Sequence, residues 1–453
     1  MPSKADEFVF SSYSSDFNRG EFGFSYQIRF SDNQTLDLTE KLRLPLSGLS
    51  QQKIPLPLLN SLLQSLHLML GINYWKTYSP AKIVIKSVAL TQKQAQFWNT
   101  VYRKGLGEFF YRNNLDFRQL VQFPFSQSSA SQPISFPRQD RALVGIGGGK
   151  DSIVVAELLK KENYPLTAFI VETQKKHQLS RDVVYAMQIG SIQVQRVLDP
   201  HLFEINKQPG AYNGHIPISA IIAHIGLLAA VLYDYRFVIV GNEKSSNLGN
   251  LPWKGETINH QWSKSMEFER LFQAYTAQYI TPDVTYFSLL RPWYDLKITQ
   301  KFSQDEKYFS TFSSCNQNFK ITKPSPIKPG SLWCGKCAKC AFMFVALAAF
   351  IPKKQVEDIF QANLLTDKKL RPIYQELLGV RGNKPFDCIG TPEETIVAFS
   401  EIAKKGEYAG SAIMDMVVRE ILSKAEDIEK RKMGIMGRYE DELIPEKFRA
   451  LLI

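Results

Sequence analysis

What this 453-residue chain lacks narrows the field first. No apolar stretch follows Met1-Pro2-Ser3-Lys4-Ala5-Asp6-Glu7, so no secretory signal peptide is expected. The densest apolar runs, residues 220–233 and 341–351, are too short to span a bilayer, and the first carries His224. They read as buried helices; membrane insertion is not expected and the cytoplasm is the expected location. Cysteine is scarce. An odd total of five excludes a simple disulfide framework. The chain has no internal repeat and no obvious RNA-binding module, so nucleic acid is not an expected partner. Two common nucleotide signatures are also missing. A Walker A loop needs four residues between its glycines and Ser or Thr after the lysine. Here Gly145 and Gly149 enclose three residues, and Asp151 follows Lys150. A dinucleotide fingerprint needs a glycine where Lys150 stands.

What is present begins with charge. The net +11 favours an anionic partner, a nucleotide, a phosphorylated substrate or nucleic acid, without choosing among them or excluding a merely solvated basic surface. Hydrophobic residues make up 44%, enough for a large core. Residues 22–30 and 35–44 alternate apolar and polar positions around Ser31-Asp32-Asn33, a hairpin pattern. Residues 58–70 have helical spacing, and 83–88 read as a strand. Residues 125–139 are rich in Ser, Gln and Pro and read as a linker. Beyond Arg141, strands at 142–146, 166–172, 192–197 and 237–240 alternate with helices at 152–161, 183–189 and 219–233. That alternation implies an α/β fold with a doubly wound parallel sheet. Helices at 393–403 and 413–424 mark a helical tail. The expected division is an α+β N-terminal domain over 1–124, a linker over 125–140, a nucleotide domain over 141–310, a cysteine segment over 311–345 and a helical region over 346–453.

Gly147-Gly148-Gly149-Lys150-Asp151-Ser152 lies between a strand and a helix. Glycines there let the backbone approach a phosphate, and the helix start offers free N–H groups. Lys150 adds charge and Ser152 a hydroxyl. A carboxylate at Asp151 makes chemical sense beside phosphates when magnesium lies between them. A plain glycine turn is the bland alternative. Downstream, Cys334, Cys337 and Cys340 are spaced two residues apart, and Cys315 can complete a set of four. Four thiolates make a closed structural zinc site; an iron–sulfur cluster or unliganded buried thiols are the alternatives.

The phosphate loop resembles the Ser-Gly-Gly-X-Asp-Ser loop of the PP-loop ATP pyrophosphatases. Gly148, Gly149, Asp151 and Ser152 carry the match, and Gly147 replaces the first serine. The resemblance implies a sheet of the PP-loop (HUP-like) type, with ATP cleaved to AMP and pyrophosphate. It places the nucleoside near Glu172 and Thr173. Gly241-Asn242-Glu243 then lies near the phosphates, with Glu243 either a second magnesium ligand beside Asp151 or a helix-start carboxylate. The cysteine cluster is similar in position to the zinc site of 7-cyano-7-deazaguanine synthase, within the same superfamily.

Five longer stretches narrow the resemblance: Gly210-Ala211-Tyr212-Asn213-Gly214-His215-Ile216-Pro217, Asn259-His260-Gln261-Trp262-Ser263-Lys264-Ser265, Tyr286-Phe287-Ser288-Leu289-Leu290-Arg291-Pro292, Ser313-Ser314-Cys315-Asn316 and Lys384-Pro385-Phe386-Asp387-Cys388-Ile389-Gly390. Together they look like the UDP-N-acetyl-α-D-muramoyl-L-alanyl-L-glutamate epimerases of peptidoglycan synthesis, over roughly residues 20–400. This implies inversion of a terminal glutamate in a UDP-linked muramoyl dipeptide, with ATP and magnesium used to adenylate its carboxylate. Cys388 is the cysteine outside the metal set. It is read either as a proton-transfer base or as a small buried apolar residue. His215 and His260 stand in polar loops suited to a site, whereas His224 reads as a core residue. Lys264, Arg291 and Lys384, with Tyr212 and Asn213, are the candidate substrate contacts; the fork of Arg291 suits carboxylate or diphosphate. Two rivals remain, a PP-loop enzyme of deazapurine or tRNA base modification and a nucleotide-binding regulator that no longer cleaves ATP.

Overall fold

The computed structural model describes residues 4–46, 53–127, 132–321, 327 and 330–452. Part of the 125–140 segment read as a linker therefore lies outside the described residues. Strands β1 (Ala5–Asp16), β2 (Glu21–Phe30), β3 (Thr35–Arg43), β4 (Lys82–Ile85), β5 (Ala142–Gly145), β6 (Leu166–Thr173), β7 (Ser191–Val197), β8 (Phe237–Val240), a small ribbon of β9 (Leu251–Trp253) and β10 (Glu256–Ile258), and β11 (Thr285–Ser288) are present. All but the ribbon join one nine-stranded sheet in the order β11-β8-β5-β6-β7-β3-β2-β1-β4. The β11-β8-β5-β6-β7 half is parallel throughout. The protein is thus α/β with a large mixed, mostly parallel sheet.

Side chains in this half alternate between two cores. Leu143, Phe169, Val238 and Tyr286 point to one face, toward the N-terminal helices and the apolar helix Ile218–Tyr233. Their neighbours Val144, Ala168, Ile170, Ile239 and Phe287 point to the other, toward the helices Lys150–Lys161, Asp295–Phe302, Ala338–Ala348 and Pro392–Lys405. A parallel sheet covered on both faces needs apolar residues at every position, which is why these strands read as continuous runs.

The N-terminal strands extend this sheet. β3 pairs antiparallel with β7 through Lys41–Val197, Leu42–Arg196 and Arg43–Gln195. Beside this seam the buried Arg196 guanidinium meets the buried Glu40 carboxylate at 2.6 Å. β1 carries two register shifts that break its alternation, so it left no clean period to read in the sequence. The strand expected at 83–88 is the shorter β4. The helix expected at 183–189 spans Gln178–Met187 and stops at Gln188, which is left-handed. The helix expected at 413–424 spans Ala412–Glu420 and continues as a short 3₁₀ turn, Leu422–Lys424. Among the described residues, no helix is long and apolar enough to cross a membrane.

Candidate functional site

β5 sits between β6 and β8, where the chain reverses the direction of strand addition. In open α/β sheets this switch leaves a crevice beyond the strand ends. The loop Gly147-Gly148-Gly149 runs out of β5 there. Gly148 has φ +90°, a conformation side chains rarely adopt, and a Cβ on it would lie 3.0 Å from Leu179 Cγ. Gly149 starts the helix Lys150–Lys161 without any side-chain cap, so its first N–H groups stay available. Ser152 Oγ donates to the Gly149 carbonyl at 3.0 Å. Gly147 is different: nothing lies within 4 Å of where its Cβ would be.

Four carboxylates and several ammonium groups converge next to this loop. Lys150 is buried between Asp151 and Asp295, the latter at 2.7 Å. Burial opposes its charge, but the two carboxylates outweigh it and raise its pKa. Glu243 follows β8 and is buried with Oε2 lacking a hydrogen-bond partner. Burial raises its pKa; Lys264 and Lys339 oppose this, while Asp151 and Asp295 add to it. Glu394 closes the group. It accepts from Ser245 Oγ at 2.7 Å and Leu296 N at 2.9 Å, and burial beside Asp295 lifts its pKa to about 7. Glu394 also forms a capping box with Thr391 at the start of Pro392–Lys405.

Cys388 lies at the same cluster. Burial alone would raise its thiol, but Lys264 and His260, with Lys339, outweigh it and bring the pKa down to about 7. His260 is buried against its charge, yet Cys388 and Glu108 hold it up to about 9. Glu108 comes from the helix Gly107–Arg112 of the N-terminal block. Its carboxylate meets His260 Nδ1, Arg112 Nε, and His215 Nδ1 at 3.5 Å. The ring centre of His215 lies 4.4 Å from that of His260, with the two rings tilted by 46°. Burial and the His260 charge lower His215 to about 3, so it is neutral. Arg112 lies over the Phe386 ring at 4.8 Å, and Asn250 Nδ2 donates to the Lys384 and Pro385 carbonyls at 3.1 and 2.8 Å. These bonds fix the loop that carries Cys388.

The residues singled out in the sequence distribute unevenly. Asp151, Glu243, Lys264, Lys384, Cys388 and His260 come together, with His215 beside them. Lys384 Nζ is buried without a hydrogen-bond partner. Arg291 is present but committed internally. It donates to the carbonyls of Glu243 and Lys264 at 2.8 and 2.6 Å and pairs with Glu269 at 2.8 Å. Asn242 Nδ2 turns to Ser288 Oγ at 3.0 Å. Glu172, at the end of β6 with Thr173, is held by Arg181 at 2.6 Å and by the His177 N–H at 2.9 Å. Tyr212 and Asn213 anchor the His215 loop on the N-terminal block, through Thr77 O at 2.7 Å and Lys76 Nζ at 3.3 Å. His224 is a core residue bonded to Ala220 O at 2.7 Å. Sequence reading missed Glu108, Asp295 and Lys339, because an isolated charged residue carries no local pattern. The Thr391–Glu394 capping spacing was a readable signal.

Cys315, Cys334, Cys337 and Cys340 do converge, with all four sulfurs within 4.8 Å of one another. The Sγ atoms of Cys337 and Cys340 are 3.5 Å apart, and those of Cys334 and Cys340 3.7 Å. The segment leading to the cluster also touches the glycine loop: Ser313 N donates to Gly148 O at 2.9 Å, two residues before Cys315.

Residues 1–289 match the family model of the MurL N-terminal domain, and residues 311–432 match that of the MurL C-terminal domain. A Xanthomonas oryzae pv. oryzae protein named UDP-N-acetyl-alpha-D-muramoyl-L-alanyl-L-glutamate epimerase is 38% identical over 360 residues, 79% of this chain and 78% of that one. Proteins of the same name from a Micromonospora strain and from Salinispora tropica are 36% and 34% identical. Each covers 92% of this chain, and 91% and 89% of their own lengths are matched.

Proposed function

Because the chain belongs to the MurL family, we propose that it inverts the terminal L-glutamate of UDP-MurNAc-L-Ala-L-Glu to the D form, using ATP and releasing AMP and pyrophosphate. The observation that carries this reading is the meeting of Asp151, Glu243 and Asp295 with Lys150, Lys264 and the Cys388–His260 pair at the mouth of the phosphate loop. An α-proton beside a free carboxylate is a very weak acid, since its carbanion would adjoin a negative charge. Adenylation removes that charge, and an ordinary base then suffices.

Each residue has a task on this reading. The backbone of Gly147, Gly148 and Gly149, with Lys150 and Ser152, holds the pyrophosphate. Asp151 and Glu243 fit a magnesium ion, because an unpartnered carboxylate oxygen buried among acids needs a cation or a proton. When bound, the ion neutralises phosphate charge. Asp295 keeps Lys150 charged and in place, and Arg291 holds the backbones of Glu243 and Lys264 rather than the substrate. The neighbourhood of Glu172 and Thr173 receives the nucleoside. Cys388, His260 and His215 serve the proton exchange. Lys384 contributes an ammonium to substrate oxygens.

The four cysteines fit zinc. A tetrahedron with Zn–S bonds of about 2.3 Å has edges of about 3.8 Å, close to the sulfur separations present. Thiols shared among several irons would stand farther apart. The N-terminal block supplies Arg103 and Lys104 to a cavity of about 580 Å³ with Asn259 and Trp262 in its wall, and there we place the UDP-sugar end. The units 1–124, 125–140, 141–310, 311–345 and 346–453 are proposed as functional divisions; the first and third share one sheet. A cytoplasmic location goes with ATP as co-substrate.

The test is incubation with UDP-MurNAc-L-Ala-L-Glu, ATP and magnesium in heavy water. AMP, pyrophosphate and α-deuterated D-glutamate in the product are expected. AMP formed only with tRNA or a deazapurine acid would sink the reading.

A further inference from the structure

The arrangement around Cys388 bears on how the activated carboxyl is handled after ATP is split. An acid and a base that invert a carbon must stand on opposite sides of it, with the carbon between them. Cys388 and His260 do not stand apart: their side chains are hydrogen-bonded, and the His260 ring centre lies 6.4 Å from that of Phe386, two residues before Cys388. They therefore occupy one side of any substrate that enters. A thiol, an imidazole and a carboxylate in series, with Glu108 on Nδ1 of His260, is instead the arrangement that activates a nucleophile. The sulfur is also well placed. Its neighbour Lys264 interacts with Glu243 and Asp151 as well, so thiol and phosphate-side carboxylates share one ammonium. A second observation points to a ligand there. Lys384 is buried with its ammonium unpartnered, and it acts on both Glu243 and Cys388. An oxyanion formed at a carbonyl between these groups would give it a partner.

Resting on the adenylation reading above, we propose that Cys388 is a covalent nucleophile, which displaces AMP and carries the glutamyl group as a thioester during inversion. The thiolate sulfur bonds to the carboxyl carbon; the bond from that carbon to the phosphate oxygen breaks, and its electron pair leaves with AMP. No proton and no oxidant is needed. Once the sulfur is acylated, His260 loses one of the two partners that kept it protonated, and its imidazole can accept the α-proton. The α-hydrogen of a thioester is far more acidic than that of a carboxylate, and a thioester survives in water longer than an adenylate. His260 then passes its proton to solvent, a proton from solvent is delivered to the opposite face, and water attacks the carbonyl. The carboxylate and the thiolate are regenerated, with release of two protons.

The experiment is a single turnover of the full chain with ATP, magnesium and UDP-MurNAc-L-Ala-L-Glu, quenched in acid and analysed by intact mass and peptide mapping. The expected adduct has the mass of the substrate less water, sits on the Cys388 peptide and is removed by neutral hydroxylamine. In Cys388→Ala, pyrophosphate release is expected to continue once per site while the adduct and free AMP are lost, with α-deuterium exchange down about 10²-fold or more. D-epimer formed by the unaltered protein with no adduct at any quench time would overturn the proposal and leave the adenylation reading standing. Exchange retained in Cys388→Ala would also overturn it. Absence of pyrophosphate from the unaltered protein would overturn both.

Discussion

Nδ1 of His260 is hydrogen-bonded to the carboxylate of Glu108, a residue 152 positions earlier in the chain. Through this bond the N-terminal block reaches the Cys388–His260 pair. Glu108 carries no motif, yet Arg112, His215 and His260 all face it, and despite burial they hold its pKa below the usual range. Glu108 does not touch the thiol; it acts by setting the charge of His260.

That role makes a pH prediction. Thioester formation starts from the thiolate of Cys388, with a pKa of about 7, stabilised by the imidazolium of His260, at about 9, which gives up its proton only after the sulfur is acylated. The rate should rise as pH passes about 7 and fall as it passes about 9, both limbs belonging to the pair. The facing groups are Lys264, Lys339 and Lys384 around the thiol, and His215 and Arg112 around the acid. Glu108→Gln removes a negative charge that raises His260, so the alkaline limb should move down. The weaker imidazolium stabilises the thiolate less, so the acid limb should move up. Pyrophosphate release should be spared. An unchanged profile with both half-reactions reduced together would make Glu108 merely structural.

Asp151→Asn tests the other half. The change keeps size and hydrogen bonding but removes the charge offered to magnesium and one of the two carboxylates on Lys150. Pyrophosphate formation should fall by about 10²-fold or more, measured with saturating ATP and substrate. A loss cured by raising magnesium would identify weakened cation binding as the cause.

The glycine loop allows a sharper contrast. Gly147 stands where the PP-loop sequences that this loop resembles have serine, and its Cβ direction is open. Gly147→Ser should therefore fold with stability within about 0.5 kcal/mol of the parent and keep pyrophosphate release. Gly148→Ala should not. Its φ of +90° and the approach to Leu179 strain the loop, at a cost of about 1–3 kcal/mol. Pyrophosphate release that survived Gly148→Ala but not Gly147→Ser would reverse this assignment.

How legible the site was follows from range. The glycine loop between strand and helix and the cysteine set were readable because strand, turn, helix start and thiol spacing are local. Lys264, His260 and Cys388 were readable only as members of motifs; their contact was not. Glu108, Asp295 and Lys339 were invisible, since what makes them matter is packing between distant segments. The sheet shows the same limit. β2 and β3 announced themselves by alternation, whereas the β3–β7 seam depends on a pairing across more than a hundred residues. Arg291 shows the converse: its residue type suits a substrate anion, yet its two terminal nitrogens are bonded to protein carbonyls and Glu269.

The cysteine cluster should hold one zinc per chain and no acid-labile sulfide, by elemental and sulfide analysis. Cys337→Ser should lose the metal and lower the thermal midpoint. It should also slow pyrophosphate release, since the backbone beside Cys315 braces Gly148. Pyrophosphate release unaffected by metal loss would separate the cluster from the loop.

The last prediction concerns the seam. Glu40 and Arg196 are buried at 0% and 1% exposure, so removing one partner strands a charge away from water. Glu40→Ala should cost about 3–5 kcal/mol, and so should Arg196→Met. Glu40→Leu with Arg196→Met should cost less than either single change, because no charge is left alone. Because the pair bridges β3 and β7, it also tests whether the sheet behaves as one unit. In denaturant, tryptophan signals from Trp75 and Trp98 of the N-terminal block should change together with those from Trp293 and Trp333. Arg196→Met should uncouple them, with the N-terminal block unfolding first. A parent protein whose two sets already separate would mean that the backbone pairing at Lys41–Val197, Leu42–Arg196 and Arg43–Gln195 joins the strands without joining their stabilities.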